Sequence, residues 1–318
     1  MNKHIKDWVN KLMPLGALIL VYAIFAVIAP PSFVSLKNLE LIVRQTTIVG
    51  IASLGMTLVI IGGGIDLSVG SIVALVTVVI AWLLMAGSSP ILAALGGVFA
   101  GLVCGFINGA LITRLKLVPF IITLGTLLVY RGCAKGLAHE QKIDAPLSWI
   151  NELLAALKPE HTWMIVPGGV WLLTLLAIIV ALVLRYTRFG LYTFSIGSNE
   201  QAARLCGVPI EKVKLLIYGI SGLFAGFAGL MQFSRLTVGD PTVAQGLELD
   251  VIAAVVIGGG SLAGGEGSVL GTILGALIMT VIRSGCTQMG LSNWVQEIVT
   301  GIIIVVAVVL DRMRHKQT

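Results

Sequence analysis

The chain has 318 residues, 57% of them hydrophobic and only 11% charged, and its mean hydropathy is +1.01. A soluble domain carries about a quarter charged residues, so a fully water-exposed globule is excluded and lipid must be the solvent for much of the chain. The formal charge of +6 comes with no basic stretch interleaved with aromatics, so positive-inside topology explains it more simply than nucleic-acid binding does.

A transmembrane helix needs about 20 mostly apolar residues. Ten stretches approach that length: 13–29, 40–61, 69–87, 91–113, 118–136, 163–184, 213–235, 246–260, 267–286 and 294–310. The first follows Lys3, Lys6 and Lys11 as a signal peptide would. Its near-spanning length and the Pro30-Pro31 behind it predict a retained span instead.

GGGIDLSVGS (62–71) follows the second stretch. Each glycine costs a helix about 1 kcal/mol relative to alanine, so a break is predicted here. Asp66 then lies near a helix start, where a carboxylate accepts backbone N–H groups and meets the positive end of the dipole. An ionised acid deep in lipid costs about 2.5–3.5 kcal/mol on insertion scales. Asp66 is therefore read as a structural cap or, with Ser68, as a pathway group. Asn108, Thr123 and Thr126 are polar groups within the next apolar stretches, as are Gln232 and Arg283 further on. Such groups mark either a pathway or interhelical hydrogen bonds.

Residues 137–162 form an outer segment containing an amphipathic piece, WINELLAAL (149–157). Residues 185–214 form the one long inner segment. There Ser198 or Asn199 can cap a short helix from Glu200 to Leu205, which Gly207 and Pro209 would end. Joining two spans takes only a few residues. The surplus helix reads as a rigid knob that passes force to a soluble partner. Glycine totals 38, against about 22 at the usual share. Many sit at close-packing spacings, as Gly222, Gly226 and Gly229 do. Glu248 and Asp250 open the eighth stretch at its outer end, as an exposed rim, a docking surface or an outer gate. SLAGGEG (261–267), with Glu266, reads as a re-entrant or inner turn that can also meet a cytoplasmic partner, and IGGGSLAGGEGS (257–268) weakly echoes IGGGIDLSVGS (61–71).

With the N-terminus inside, ten alternating spans place Lys3, Lys6, Lys11, Arg114, Lys116, Arg185, Arg188, Arg204, Lys212, Lys214, Arg312, Arg314 and Lys316 in the cytoplasm, 13 of 21 basic residues. Both termini are then cytoplasmic, and the outer loops collect Glu140, Asp144, Glu152, Glu160 and Asp240. Cys104, Cys133, Cys206 and Cys286 form no C-x-x-C pair and have no histidine at ligand spacing. They read as small buried hydrophobes, with a Cys133–Cys286 disulfide as the lesser alternative. No metal site or catalytic constellation is evident.

Five segments carry a resemblance: GMTLVIIGGGIDLSVGS (55–71), VPFIITLGT (118–126), YTRFG (186–190), IGSNEQAARLCGV (196–208) and LDVIAAVVIGGGSLAGGEGSVLGTILGALI (249–278). In sequence and order they resemble the monosaccharide permeases of bacterial ATP-binding-cassette importers, especially the ribose-type ones, over most of the chain. The resemblance implies pairing with a second permease copy or a homologous permease. It also implies a cytoplasmic ATP-binding subunit and a periplasmic sugar-binding protein. ATP and Mg would be bound by that ATPase subunit, and no cofactor by this chain. Segment 197–208 would be the ATPase-coupling element, with Ser198, Asn199, Glu200, Ala202, Ala203, Arg204 and Gly207 in it. The chain departs from the family at Gly260, where a threonine is usual, and at Ser198, where a glycine is usual.

There is no G-x-x-x-x-G-K-[ST] phosphate loop, so ATP binding by this chain is not expected. The expectation is an all-α polytopic protein of the bacterial inner membrane. Residues 1–318 form one permease domain with about ten transmembrane helices and broken or re-entrant glycine-rich segments. An ion-coupled secondary sugar transporter is the competing reading, for which Asp66 and Glu297 offer a thin supply of acids. A membrane-embedded enzyme would need a catalytic cluster facing one lumen.

Overall fold

Uniformly apolar stretches without a polar face predict helices buried in lipid or protein, and helices dominate the structure. The computed structural model describes the backbone of residues 3–156 and 165–315, and side chains within 13–156 and 165–309. The helices are α1 (Lys3–Ile28), α2 (Leu36–Ile61), α3 (Val69–Met85), α4 (Pro90–Leu115), α5 (Pro119–Leu137), α6 (Gly168–Tyr186), α7 (Arg188–Ser198), α8 (Glu200–Leu205), α9 (Ile210–Leu236), α10 (Leu247–Ile257), α11 (Val269–Gln288) and α12 (Asn293–His315). A helix occupies each of the ten apolar stretches. Of these, α2, α4, α5, α6, α9 and α11 are long and apolar enough to cross a bilayer, and Met13–Ile28, Val69–Met85 and Asn293–Val309 are shorter apolar helices. The protein is all-α and multi-pass. Among the described residues the strands amount to β1 (Ile143–Asp144) and β2 (Val238–Gly239), paired antiparallel with Ile143 opposite Gly239.

The bundle is built around α2, in which every residue from Thr46 to Ile61 is buried. A helix apolar all round is a core helix, and α6, α9, α10 and α11 surround it. Hydroxyl pairs fasten α2 to α11: Thr46 to Thr280 at 2.6 Å and Thr57 to Thr272 at 2.8 Å between their Oγ1 atoms. In hydrocarbon such bonds and close packing hold helices together, because no hydrophobic drive operates between them.

The most extensive helix pair is α4 with α9. Gly101, Gly105 and Gly109 of α4 recur every four residues; Gly101 and Gly105 meet Gly222 and Gly226 of α9 backbone to backbone, and Gly109 meets the backbone of Leu215. A Cβ on Gly105 would lie 2.8 Å from the Cα of Gly222, and one on Gly101 would lie 2.7 Å from the Cα of Gly226.

Two helices begin inside the bundle. The 62–68 break turns back into the protein, so α3 starts beside Asn108, two turns before α4 ends. After α9 the chain descends along α3: Asp240 N donates to Thr77 Oγ1 at 3.3 Å, and Ala244 and Glu248 reach Gly70. α10 therefore starts at depth and has only 11 residues. Arg131 of α5 holds the descending segment by donating to the carbonyls of Pro241 (2.9 Å) and Val243 (2.7 Å).

The 185–214 segment is more ordered than the sequence reading expected, since α7 fills its first half with Gly190, Thr193 and Ile196 buried at a helical spacing. The WINELLAAL piece turns inward: Ile150 and Leu154 are fully buried, and Arg44 donates to the Leu154 carbonyl at 2.6 Å. Its last residue, Leu157, lies outside the described residues. Cys104 and Cys286 are buried as expected, but Cys133 and Cys206 are exposed and all four are free thiols. The Cys133–Cys286 disulfide is therefore not formed.

Candidate functional site

At one end of the bundle α8 stands out as a short helix between two turns. Asn199 is its cap, with Oδ1 accepting from Ala202 N at 2.9 Å, while Ser198 closes α7. Gly207 ends α8 at φ +81°, a conformation that side chains resist. Ala203 is buried against the bundle, whereas Ala202, Arg204 and Gly207 are exposed. Ion pairs tie α8 to the first turns of α9: Arg204 to Glu211 at 2.8 Å, Lys214 to Glu200 at 2.6 Å, and Arg204 to Glu200 within α8 at 3.5 Å. The hydrogen bond and charge of Glu211, then those of Glu200, hold the Arg204 guanidinium above its ordinary pKa.

Above this end lies a buried polar chain. Asp66 Oδ1 accepts from Ser68 N (2.9 Å) and Ser68 Oγ (2.6 Å). Asn108 Nδ2 donates to Ser68 Oγ at 2.8 Å, and Tyr130 Oη donates to Asn108 Oδ1 at 2.9 Å. Thr123 Oγ1 donates to the Ile65 carbonyl at 3.2 Å, and Thr126 Oγ1 donates to the Thr123 carbonyl at 3.3 Å. Buried polar groups must find partners, and these lock the start of α3 against α4 and α5.

At the opposite end α2, α9, α10, α11 and α12 enclose a polar cavity of about 690 Å³, within the roughly 300–1,000 Å³ of ordinary ligand sites. Asn38, Gln45, Arg235, Gln245, Asp250 and Arg283 line it, and α12 adds Asn293, Gln296, Glu297 and Thr300. A smaller cavity of about 160 Å³ continues it inward past Gln232 and Thr280. At the floor, buried Asp250 meets half-exposed Arg283 at 2.7 Å. One wall is pre-arranged: Asn38 Oδ1 accepts from Ser284 Oγ (3.0 Å) and from Gln288 Nε2 (3.2 Å). Carboxamides, guanidinium groups and a carboxylate supply donors and acceptors together, which is what a polyhydroxylated molecule needs from its surroundings. The positive N-terminal end of α10 also faces this space, with Gln245, Gly246 and Leu249 in the lining.

Residues 38–308 match the family model described as the branched-chain amino acid transport system / permease component. The chain belongs to this permease family. Its relatives include the ribose import permease protein RbsC of Bacillus subtilis (strain 168), 39% identical over 98% of this chain and 95% of the relative. RbsC of Escherichia coli (strain K12) is 34% identical over 98% and 96%, and the fructose import permease protein FrcC of Rhizobium meliloti is 35% identical over 96% and 86%. No solved structure matches the chain.

In this permease the candidates Asp66, Ser68, Asn108 and Thr123 come together, with Thr126 one turn along. All five are buried, and none lines the polar cavity. Asp66 also differs from the expected cap: its partner is the N-cap residue Ser68, not the amides of the first turn of α3. Glu248 and Asp250 do not form an exposed outer rim. The descending segment carries α10 inward, which buries Asp250 at 3% exposure and sets Glu248 against Gly70. The cavity residues Asn38, Gln45, Arg235 and Gln245 escaped the sequence reading. A polar stripe was available to find them: Asn293, Gln296, Glu297 and Thr300 fall at i, i+3, i+4 and i+7 on α12, and Asn38 and Gln45 fall at i and i+7 on α2.

Proposed function

We propose that the chain is the membrane-embedded permease subunit of an ATP-binding-cassette importer and passes a monosaccharide, ribose or a related sugar, across the bacterial inner membrane. The observation that carries this is the polar cavity at one end of the bundle with the exposed helix α8 at the other. Relatives of nearly full length that are named ribose and fructose import permeases support the substrate class. The alternative of ion coupling gains little from the site, because the buried carboxylate at the cavity floor is already neutralised by Arg283.

In this reading residues 1–318 act as one permease unit of about ten membrane segments. Both termini and segment 185–214 lie in the cytoplasm, and 137–162 lies in the periplasm. Residues 197–208 dock on a cytoplasmic ATPase subunit, where ATP and Mg are bound and hydrolysed; the permease itself is not an enzyme. A periplasmic binding protein delivers the sugar to the cavity, and the outer loops receive it. Half-exposed Arg283 and exposed Glu297 would be costly facing lipid. A second permease, identical or homologous, covers that open side and completes the passage. Asp66, Ser68, Asn108, Thr123 and Thr126 act in this scheme as the scaffold that locks the start of α3 against α4 and α5. The test is deletion of Glu200–Leu205 in the assembled transporter. ATP-driven uptake is expected to vanish while the permease still inserts; uptake that persists with the ATPase engaged refutes the coupling role.

A further inference from the structure

Three glycine-rich segments far apart in sequence cross at one point beneath α8. Gly265 N donates to the carbonyl of Ile61, the last residue of α2, at 2.8 Å. Gly197, just before α8, has no room for a side chain: a Cβ there would run into the Ile61 carbonyl and lie 2.5 Å from Gly265 N. A Cβ on Gly264 would lie 3.0 Å from the Cα atoms of both Gly197 and Gly63, and one on Gly265 would lie 2.9 Å from the Cα of Ser198. Gly264 (φ +89°) and Gly265 (φ +76°) take conformations that side chains resist. The end of α2, the α7–α8 corner and the α10–α11 turn thus touch through backbone alone, with no flexible side chain between them to absorb a displacement.

The α10–α11 hairpin is equally stiff. Gly258 packs on the backbone of Gly271, and Gly275 packs on that of Ala254. The same hairpin carries Asp250 on α10 and Arg283 on α11, the ion pair at the cavity floor. Ion pairs to Glu211 and Lys214 hold α8 itself in a fixed attitude.

We infer that Gly197 and Gly265 are positioning residues through which the α7–α8 corner drives the α10–α11 hairpin, so that a push on α8 moves the Asp250–Arg283 floor of the sugar cavity. This rests on the coupling role proposed for α8. Packed backbones transmit displacement as a unit, and coupling between sites is measured as a change in response at one when the other is perturbed.

The experiment uses the complete transporter, with its ATPase and binding-protein subunits, in proteoliposomes. Exposed Cys133 and Cys206 are replaced by serine. Spin labels are placed at exposed Ala202 of α8 and exposed Leu249 of α10, each paired with a reference label at exposed Val129 of α5, and distances are measured with and without ATP. Both distances are expected to shift in the parent protein. In Gly265→Ala only the Ala202 distance shifts, ATP hydrolysis is retained, and sugar moved per ATP falls about tenfold, within the usual range of allosteric coupling. A Leu249 label that still responds in Gly265→Ala, or an unchanged sugar-to-ATP ratio, overturns the inference. An Ala202 label that is static in the parent protein refutes the coupling role of α8 instead. Should Gly265→Ala fail to assemble, the pair Ser198→Cys and Gly265→Cys is cross-linked. Retained uptake supports a junction that moves as one piece, and abolished uptake overturns it.

Discussion

Replacing Gly105 by alanine tests whether the α4–α9 contact is limited by backbone approach. The new Cβ would meet the Tyr218 carbonyl and lie 2.8 Å from the Cα of Gly222 and 2.9 Å from its nitrogen. Carbon atoms attract best at about 3.5–4.0 Å, so α4 must retreat by about 1 Å along a helix face that is in contact for several turns. Overpacking of this kind costs about 1–3 kcal/mol. Alanine also gains about 1 kcal/mol of helix propensity over glycine, which would blur a single measurement. Gly132→Ala in α5 supplies the correction, because nothing lies within 4 Å of a Cβ there and only the propensity gain remains. The expected result is that Gly105→Ala unfolds about 1–3 kcal/mol below Gly132→Ala in denaturant titrations of the detergent-solubilised protein. Equal stabilities, within about 0.5 kcal/mol, would show that the helices are not held at backbone distance and refute the reasoning.

Arg283→Gln leaves the buried Asp250 carboxylate uncompensated. Removing one partner of a buried pair costs about 3–5 kcal/mol, and the half-exposed guanidinium puts this case at the low end. The double variant with Asp250→Asn should recover most of the loss, as a double-mutant cycle in denaturant would register. Asn199→Ala removes the cap of α8 and is expected to cost about 1 kcal/mol locally; faster amide exchange confined to 200–206 is the readout. Asp240 lies between α9 and α10, where burial opposes its charge, but hydrogen bonds from Thr242 and the Lys142 ammonium at 3.1 Å hold its carboxyl below the usual range. A depressed carboxyl contributes its stability fully above its unfolded pKa of about 3.9 and loses it as pH falls through the folded value. The gap in melting temperature between the parent protein and Asp240→Asn should therefore stay constant from pH 8 to about pH 5 and narrow only below about pH 4; a gap that already closes at pH 6 contradicts the assignment.

The helical architecture was legible because its signal is hydrophobic length, which survives without tertiary information. The glycine break at 62–64 and the capped helix from Glu200 to Leu205 were legible for a similar reason, since caps and glycines act locally. α7 was missed because its apolar positions, read beside the basic residues Arg185 and Arg188, lack the length of a span and pass for a loop. The polar candidates were chosen one by one as exceptions within apolar runs. That finds Asn108 and Thr123, whose partners are neighbouring helices, as readily as it finds Arg283, which faces a cavity. Telling the two apart needs the direction of each side chain. The depth of Asp250 was illegible because the short strand and turns between α9 and α10 carry no hydropathy signal of their descent along α3.

At about 1.5 Å per residue, the 11 residues of α10 cover roughly 16 Å, about half the roughly 30 Å of a bilayer's hydrocarbon. In the proposed importer, with the cavity open on one side of that helix, the closed barrier would be only about half a membrane thick at that point. A sugar resting on the Asp250–Arg283 floor would then complete much of its crossing before any helix moves.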